Sequence, residues 1–112
     1  MSMQQYNNLM THSIKIRKRA RNKSGDFYDL SSSTVKGFCQ YGNHFYTDEK
    51  GEKKLATAIV FLKDDCGIDV NYDYYMLDQL TPYNRPNLEV KKTDQIDDPR
   101  TGKTHHFECF CR

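Results

Sequence analysis

Two histidines and two cysteines crowd one end of the chain, at His105, His106, Cys109 and Cys111, with further cysteines at Cys39 and Cys66. Imidazole and thiolate are zinc ligands, so a metal site is the first chemistry to weigh. The spacing argues against it. Closed zinc knuckles use C-x2-C or similar tight turns, whereas Cys109 and Cys111 are two apart and share one face if the segment is a strand. A reduced cysteine on a strand is more often a small core hydrophobe. A thiol hydrolase would need a cysteine beside a histidine and an orienting group. Cys109 with His44 or His12 supplies the residue types, but no local pattern supports the set. Adjacent His105 and His106 should face opposite sides of a strand and so not line one site. The carboxylate pairs Asp64-Asp65 and Asp97-Asp98 fall where Asp is expected for turn geometry. There is no phosphate-binding glycine loop and no metalloprotease helix motif. The residues point away from an enzyme, with no metal, no cofactor and no small-molecule substrate expected.

Binding chemistry is better represented. Tyr72, Tyr74 and Tyr75, with Phe38, Phe45 and Tyr46, could stack bases, but Asp69, Asp73 and Asp78 surround the tyrosines where a stacking site would want positive charge. A strand or interface role fits them better. Lys15, Arg17, Lys18, Arg19, Arg21 and Lys23 follow one another with no acid between them. A solvated, Lys-rich strand edge that resists aggregation is the first reading of this run, and contact with DNA phosphate or an acidic partner the second.

The elements that must position these groups read as strands. Residues 1–11 carry no period and are expected to be a flexible arm; a single β domain spans 12–112. From His12 the pattern alternates, Ile14 and Ile16 against Lys15 and Arg17, as a half-buried strand does. Arg21 to Asp26 has turn chemistry, Phe27 to Leu30 is expected to pair briefly, and Ser31 to Thr34 reads as a polar break. Val35, Cys39 and Tyr41 then alternate with Lys36, Phe38 and Gln40, with Gly37 as a bulge or a point of close approach. Gly42 to Lys54 reads as a charged connection. Leu55 to Lys63 is apolar at nearly every position and is expected to be a strand covered on both faces. A short aromatic strand over 72–77, a loop over 81–87 broken by Pro82 and Pro86, an extended 88–92, a long connection over 93–103 and a last strand over 104–111 complete an all-β pattern. Strands at this spacing predict a small antiparallel barrel or sandwich with long loops between strands.

Length and composition agree with one modest domain. The chain has 112 residues, and its hydrophobic share of 37% is below the usual share of about 45 to 50%. A core this thin suggests support from neighbouring subunits. The formal charge is only +2, so the whole surface is no polyanion trap. No apolar run approaches the roughly 20 residues that cross a bilayer, and Met1 to Thr11 lacks a signal core. The chain is therefore expected inside cells, with its cysteines reduced.

In layout the chain resembles the head-completion proteins of tailed double-stranded-DNA phages, also called stopper or head-closure proteins. The resemblance spans about His12 to Arg112. It rests on the opening basic strand with its Ser-Gly-Asp turn, Val35-Lys36-Gly37, the Asp48 to Gly51 turn, the Leu55 to Leu62 strand, and Asp98-Pro99-Arg100-Thr101-Gly102 running into His105-His106-Phe107-Glu108. It implies a β-barrel subunit of a homo-oligomeric ring, usually dodecameric, in the virion neck, made in the host cytoplasm. Its partners would be the portal and adaptor ring, tail-completion proteins and packaged DNA in the channel. A loop that gates the channel in the family corresponds here to Gly42–Lys54. That places Lys50, Lys53 and Lys54 toward DNA phosphate, and Asp48, Glu49 and Glu52 toward DNA or the next subunit. Interface candidates are Ile14, Arg17, Arg19, Tyr72, Tyr74, Tyr75, His106 and Phe110, on the first and last strands, read as barrel edges, and on the tyrosine strip. The longer Tyr72 to Pro86 segment and the polar residues before His12 depart from the family layout and leave room for a neighbouring adaptor or tail-completion subunit. A small barrel binding single-stranded nucleic acid is the alternative from another class.

Overall fold

Three stretches of the chain place an Asn or Asp three or four residues before a glycine. Each forms the turn of a hairpin in the computed structural model, which describes residues 9–63, 68 and 74–112. Asn22 Oδ1 accepts from the amides of Ser24 and Asp26 at 2.9 and 3.0 Å. Asp48 Oδ1 accepts from Lys50 and Glu52, both at 2.9 Å, and Asp98 Oδ1 from Arg100 at 2.9 Å. Gly25, Gly51 and Gly102 then take φ of 85°, 79° and 70°, a region that only glycine enters without steric cost. The Arg100 amide also holds the Asp98 carboxyl below the usual carboxylate range.

These turns join long strands: β1 (His12–Arg21), β2 (Phe27–Thr47), β3 (Lys53–Leu62), β4 (Tyr74–Thr81), β5 (Arg85–Asp97) and β6 (Thr104–Cys111). All neighbours are antiparallel, and the sheet closes in the order β1-β2-β3-β6-β5-β4 with β4 returning to β1. The architecture is thus two three-stranded meanders, β1-β2-β3 and β4-β5-β6, joined along two seams, β3–β6 and β1–β4. The first and last strands are not edges, because each has neighbours on both sides. The antiparallel register puts the β1–β2 and β5–β6 turns at one end of the barrel, here the upper end. The β2–β3 and β4–β5 turns lie at the lower end.

Strands run further than the sequence pattern indicates. Ser31 to Thr34 is not a break: it lies within β2 and pairs with Lys15 to Lys18. Its hydroxyls are exposed, so a strand of serines buries nothing polar. Gly42 to Lys54 is not an open loop either. His44 to Thr47 pair with Ala56 to Lys53, leaving only 48–52 as turn; the β-forming types His44-Phe45-Tyr46-Thr47 outweigh the charges beyond them. Similarly β5 continues to Asp97, so the long connection shrinks to 98–103. At 21 residues β2 would reach about 70 Å if straight, beyond the 48 Å longest dimension of the molecule. It bends instead where residues go unmatched, at Leu30 and at Gly42-Asn43. Pro86 lies inside β5 but has no ladder partner on β4, which reconciles it with a strand.

The core fills the barrel with Ile14, Ile16, Cys39, Val60, Leu62, Ile68, Tyr75, Leu77, Val90, Cys109 and Cys111. Full burial of each larger aliphatic side chain stabilises by about 1.5–3 kcal/mol. On β3 only the Ala56-Ala58-Val60-Leu62 face is buried. Leu55 and Thr57 are exposed and Ile59 and Phe61 half-buried, so the strand is covered on one face, not two. Met10 is also buried, so the packed body takes in residues before His12. Gly37 is a point of close approach. It pairs with His12 on one side and Leu62 on the other, and a Cβ there would lie 2.7 Å from both Ile14 Cδ1 and the Phe61 carbonyl oxygen.

Candidate functional site

Beyond the closed part of the barrel, hairpin ends project as two-stranded arms, and most of the exposed chemistry sits on two of them. The lower arm is the β2–β3 hairpin. Phe45 and Leu55 are cross-strand partners there and present an apolar pair to solvent, Phe45 at 60% exposure. Lys53 Nζ stands 4.2 Å over the Phe45 ring. Lys54 bonds Glu52 at 3.1 Å, and that hydrogen bond raises its pKa. Asp48 is committed to the turn. Of the lysines expected to meet DNA, Lys53 and Lys54 therefore already have partners in their own subunit. Gly42–Lys54 carries three lysines against Asp48, Glu49 and Glu52, and is electroneutral.

The upper arm is the β1–β2 hairpin, and it is basic. From His12 to Leu30 it carries six Lys and Arg against two Asp. Two of its arginines are tied down. Arg17 Nε and Nη2 meet both oxygens of Asp78 at 2.8 and 2.9 Å, and Nη2 also donates to Asn87 Oδ1 at 2.6 Å. Asn87, in the left-handed region at φ 66°, sends its own amide to Asp78 at 2.8 Å. With side-chain exposures of 14% and 12%, this pair fastens β1 to the β4–β5 corner. Arg17 is thereby a structural residue, contrary to its expected interface role. Arg19 Nε lies 3.2 Å from Asp29. Arg21 is held by aromatic rings instead: its guanidinium sits 4.6 Å over Phe27 and 5.8 Å over Tyr74, which meet edge to face at 5.2 Å.

Other expected interface residues divide sharply. Ile14 is fully buried and Tyr75 3% exposed, both in the core cluster. Phe110 alternates away from that cluster but is buried beside the Tyr46 ring at 5.6 Å. None of the three is available to a partner, because the alternation that paired them with exposed neighbours does not say which face turns inward. Tyr74 is exposed, at the root of the upper arm. Tyr72 lies outside the described residues. His106 is half-buried, with Nε2 3.2 Å from Glu108 Oε1 and its ring 6.0 Å from Phe61. His105 and His106 do not part to opposite sides: their Nδ1 atoms are 2.8 Å apart. Alternation fixes the Cβ direction, and two side-chain torsions bring the rings together.

One polar cluster had no sequence signal. Gln79 is fully buried; its Oε1 accepts from the Tyr41 hydroxyl, and its Nε2 lies 3.0 Å from His12 Nδ1. The Cys39 amide donates to the same Nδ1 at 3.0 Å. Two donors on one nitrogen require a neutral His12 with its proton on Nε2, and burial lowers its pKa accordingly. Arg85 covers the Tyr41 ring at 4.2 Å. Burial pushes the Tyr41 phenol up to about 12, the Cys39 thiol up to about 11, and the Cys111 thiol well above its ordinary value. High thiol pKa values oppose nucleophilic use. Among the described residues no three His, Cys, Asp or Glu side chains are grouped to hold a metal, and no helix is long and apolar enough to cross a membrane. No family model matches the chain, nor does any curated protein or solved structure.

Proposed function

We propose that this chain is a structural subunit of the tailed-phage neck, a head-completion or stopper protein. In this reading it forms a ring, dodecameric in the family it resembles, between the portal-adaptor assembly and the tail, retaining packaged DNA and docking the tail. The observation that carries the reading is the lower arm, a two-stranded extension past the closed barrel whose outward pair, Phe45 and Leu55, stays exposed with the Lys53 ammonium over the Phe45 ring. A ring needs two different complementary patches per subunit, and an arm that leaves the barrel is suited to reach a neighbour. The electroneutral tip also fits that role, since Asp48, Glu49 and Glu52 repel DNA as much as Lys50, Lys53 and Lys54 attract it. The chemistry supports binding over turnover: the Cys39 and Cys111 thiols are buried with raised pKa values and the polar cluster is internally satisfied.

The test is electron-microscopy imaging of DNA-filled heads from the phage that encodes the chain, with and without it, and with Phe45→Ser/Leu55→Ser. Ring density below the portal and DNA retention should both disappear without the protein and in the double variant. Heads that keep both without it would rule out the neck assignment.

A further inference from the structure

We infer that the upper β1–β2 arm is a phosphate-binding prong for duplex DNA, with Arg21 and Lys23 making the contacts and Arg19 held in reserve by Asp29. The inference takes from the proposed function only its partner, DNA. Charge is concentrated there: six Lys and Arg against two Asp in residues 12–30, in a chain whose total is +2. The remainder therefore sums to −2, and the arm holds the most basic stretch of the chain. Arg21 and Lys23 are exposed and have no carboxylate partner among the described residues, whereas Lys53 and Lys54 on the lower arm are engaged.

The aromatic residues decide what the arm reads. Arg19 and Arg21 both lie over the Phe27 ring, at 5.3 and 4.6 Å, and Arg21 lies over Tyr74 as well. Phe27 keeps 38% of its surface exposed, but two guanidinium groups already lie over its ring, so in this reading Phe27 serves to orient arginines rather than to stack nucleotides. A guanidinium held over a ring by cation–π attraction still has N–H donors to offer, and their fork can grip a phosphate with two bonds. Arg19 and Arg21 are two residues apart on one strand face, about 7 Å along it. Such an array reads backbone charge without reading sequence, and it suits a duplex whose bases are stacked away. Asp29, within 3.2 Å of Arg19 and 3.7 Å of Arg17, competes with phosphate for the same cations.

The experiment is fluorescence anisotropy of a labelled mixed-sequence 30-base-pair duplex titrated with the intact protein at 50 to 200 mM sodium chloride. Wild type should bind with strong salt dependence. Arg21→Ala/Lys23→Ala, at the arm's tip and away from the core, should stay folded and melt within several degrees of wild type, since exposed cation–π contacts are worth about 0.5–1 kcal/mol. Its affinity should fall about tenfold less than wild type's over this range, because each lost phosphate contact flattens the logarithmic slope by about 0.9. Asp29→Asn should tighten binding several-fold, a gain that a merely structural role for the carboxylate would not produce. Lys50→Ala/Lys53→Ala/Lys54→Ala should stay within twofold of wild type. No wild-type binding at 50 mM, equal losses in the upper-arm and lower-arm variants, or a single strand bound more tightly than the duplex would each overturn the inference. A variant that loses DNA affinity yet restores neck density leaves the proposed ring role standing.

Discussion

Gly37→Ala tests the packing argument most directly. Gly37 sits on β2 where the strand passes between its two neighbours, opposite His12 and Leu62. Its backbone is not in the left-handed region, so alanine is conformationally acceptable and should gain about 0.4–1 kcal/mol through the unfolded chain. Space acts the other way. The new methyl would meet Ile14 Cδ1 and the Phe61 carbonyl oxygen, each at 2.7 Å, and Leu62 Cδ2 at 3.0 Å. A side-chain methyl can rotate aside, but the Phe61 carbonyl is part of β3 and moves only with the ladder. Overpacking of this kind costs about 1–3 kcal/mol; a backbone clash belongs in the upper part of that range, so after the gain the net loss is about 1–2.5 kcal/mol, which for a domain of this size lowers Tm by about 4–18 °C. Urea unfolding followed by far-ultraviolet circular dichroism measures it. Ile14→Val removes Cδ1 and relieves one of the two close contacts, so the double variant should lose at least 0.5 kcal/mol less than the two single losses together, a coupling of the size seen for touching residues. A Gly37→Ala protein within about 0.5 kcal/mol of wild type, or strict additivity, would refute the close-approach account.

Other outcomes follow from the polar contacts. His12 is required neutral and its folded pKa is lowered, so its contribution to stability is complete above about 6.5, falls as pH drops below that, and levels off below the folded value. The difference in urea stability between wild type and His12→Gln should shrink from pH 7 to pH 5, by no more than about 1.4 kcal/mol per pH unit; a constant difference contradicts the tautomer assignment. Asp78→Asn leaves Arg17 charged and short of its carboxylate in a largely enclosed site, costing about 2–4 kcal/mol. Arg17→Met/Asp78→Leu should recover part of that loss in the same assay. In a Cys66→Ser background, Cys39, Cys109 and Cys111 are buried, with the thiols of Cys39 and Cys111 raised in pKa. A chromogenic disulfide reagent at pH 8 should label none of the three until urea unfolds the chain, and prompt native labelling would contradict their burial.

Much of the strand content was legible because local physics sets it. Ile14/Ile16 and Ala56/Ala58/Val60/Leu62 repeat with period two, and the Asn22, Asp48 and Asp98 turns carry their own acceptor and glycine. What the sequence concealed is non-local. Period two sets Ile14 on the apolar face of a half-buried strand but does not say whether that face meets its own core or a neighbouring subunit, so Ile14 and Tyr75 read as interface candidates until β4 closes against β1. The Arg17–Asp78 pair joins residues 61 positions apart, and nothing near either one announces the other. Charges in 42–54 and serines in 31–34 looked like loop because composition was weighed over pairing. An exposed strand tolerates both, since its polar side chains stay in water. The same non-locality hid the candidate site: Arg21 becomes an oriented cation only when Tyr74, more than fifty residues later, is laid beside Phe27.

The two-meander construction also fixes how the chain must search for its native state. Within each half, turns of a few residues bring strands together, and hairpins of this kind form in about 1–10 μs. The seams differ. Joining Ser13 to Thr81 closes a loop of nearly seventy residues, an entropy cost incurred before most of the barrel interior is enclosed. Refolding should therefore be slow for so small a chain, as topologies rich in distant pairings are, with closure of the halves as its limiting event. Until closure each half exposes two unpaired strand edges and an apolar face, and a half from another copy offers the same complement. Exchange of meanders between copies is thus the characteristic misassembly of this architecture, and concentration during folding is the variable that controls it.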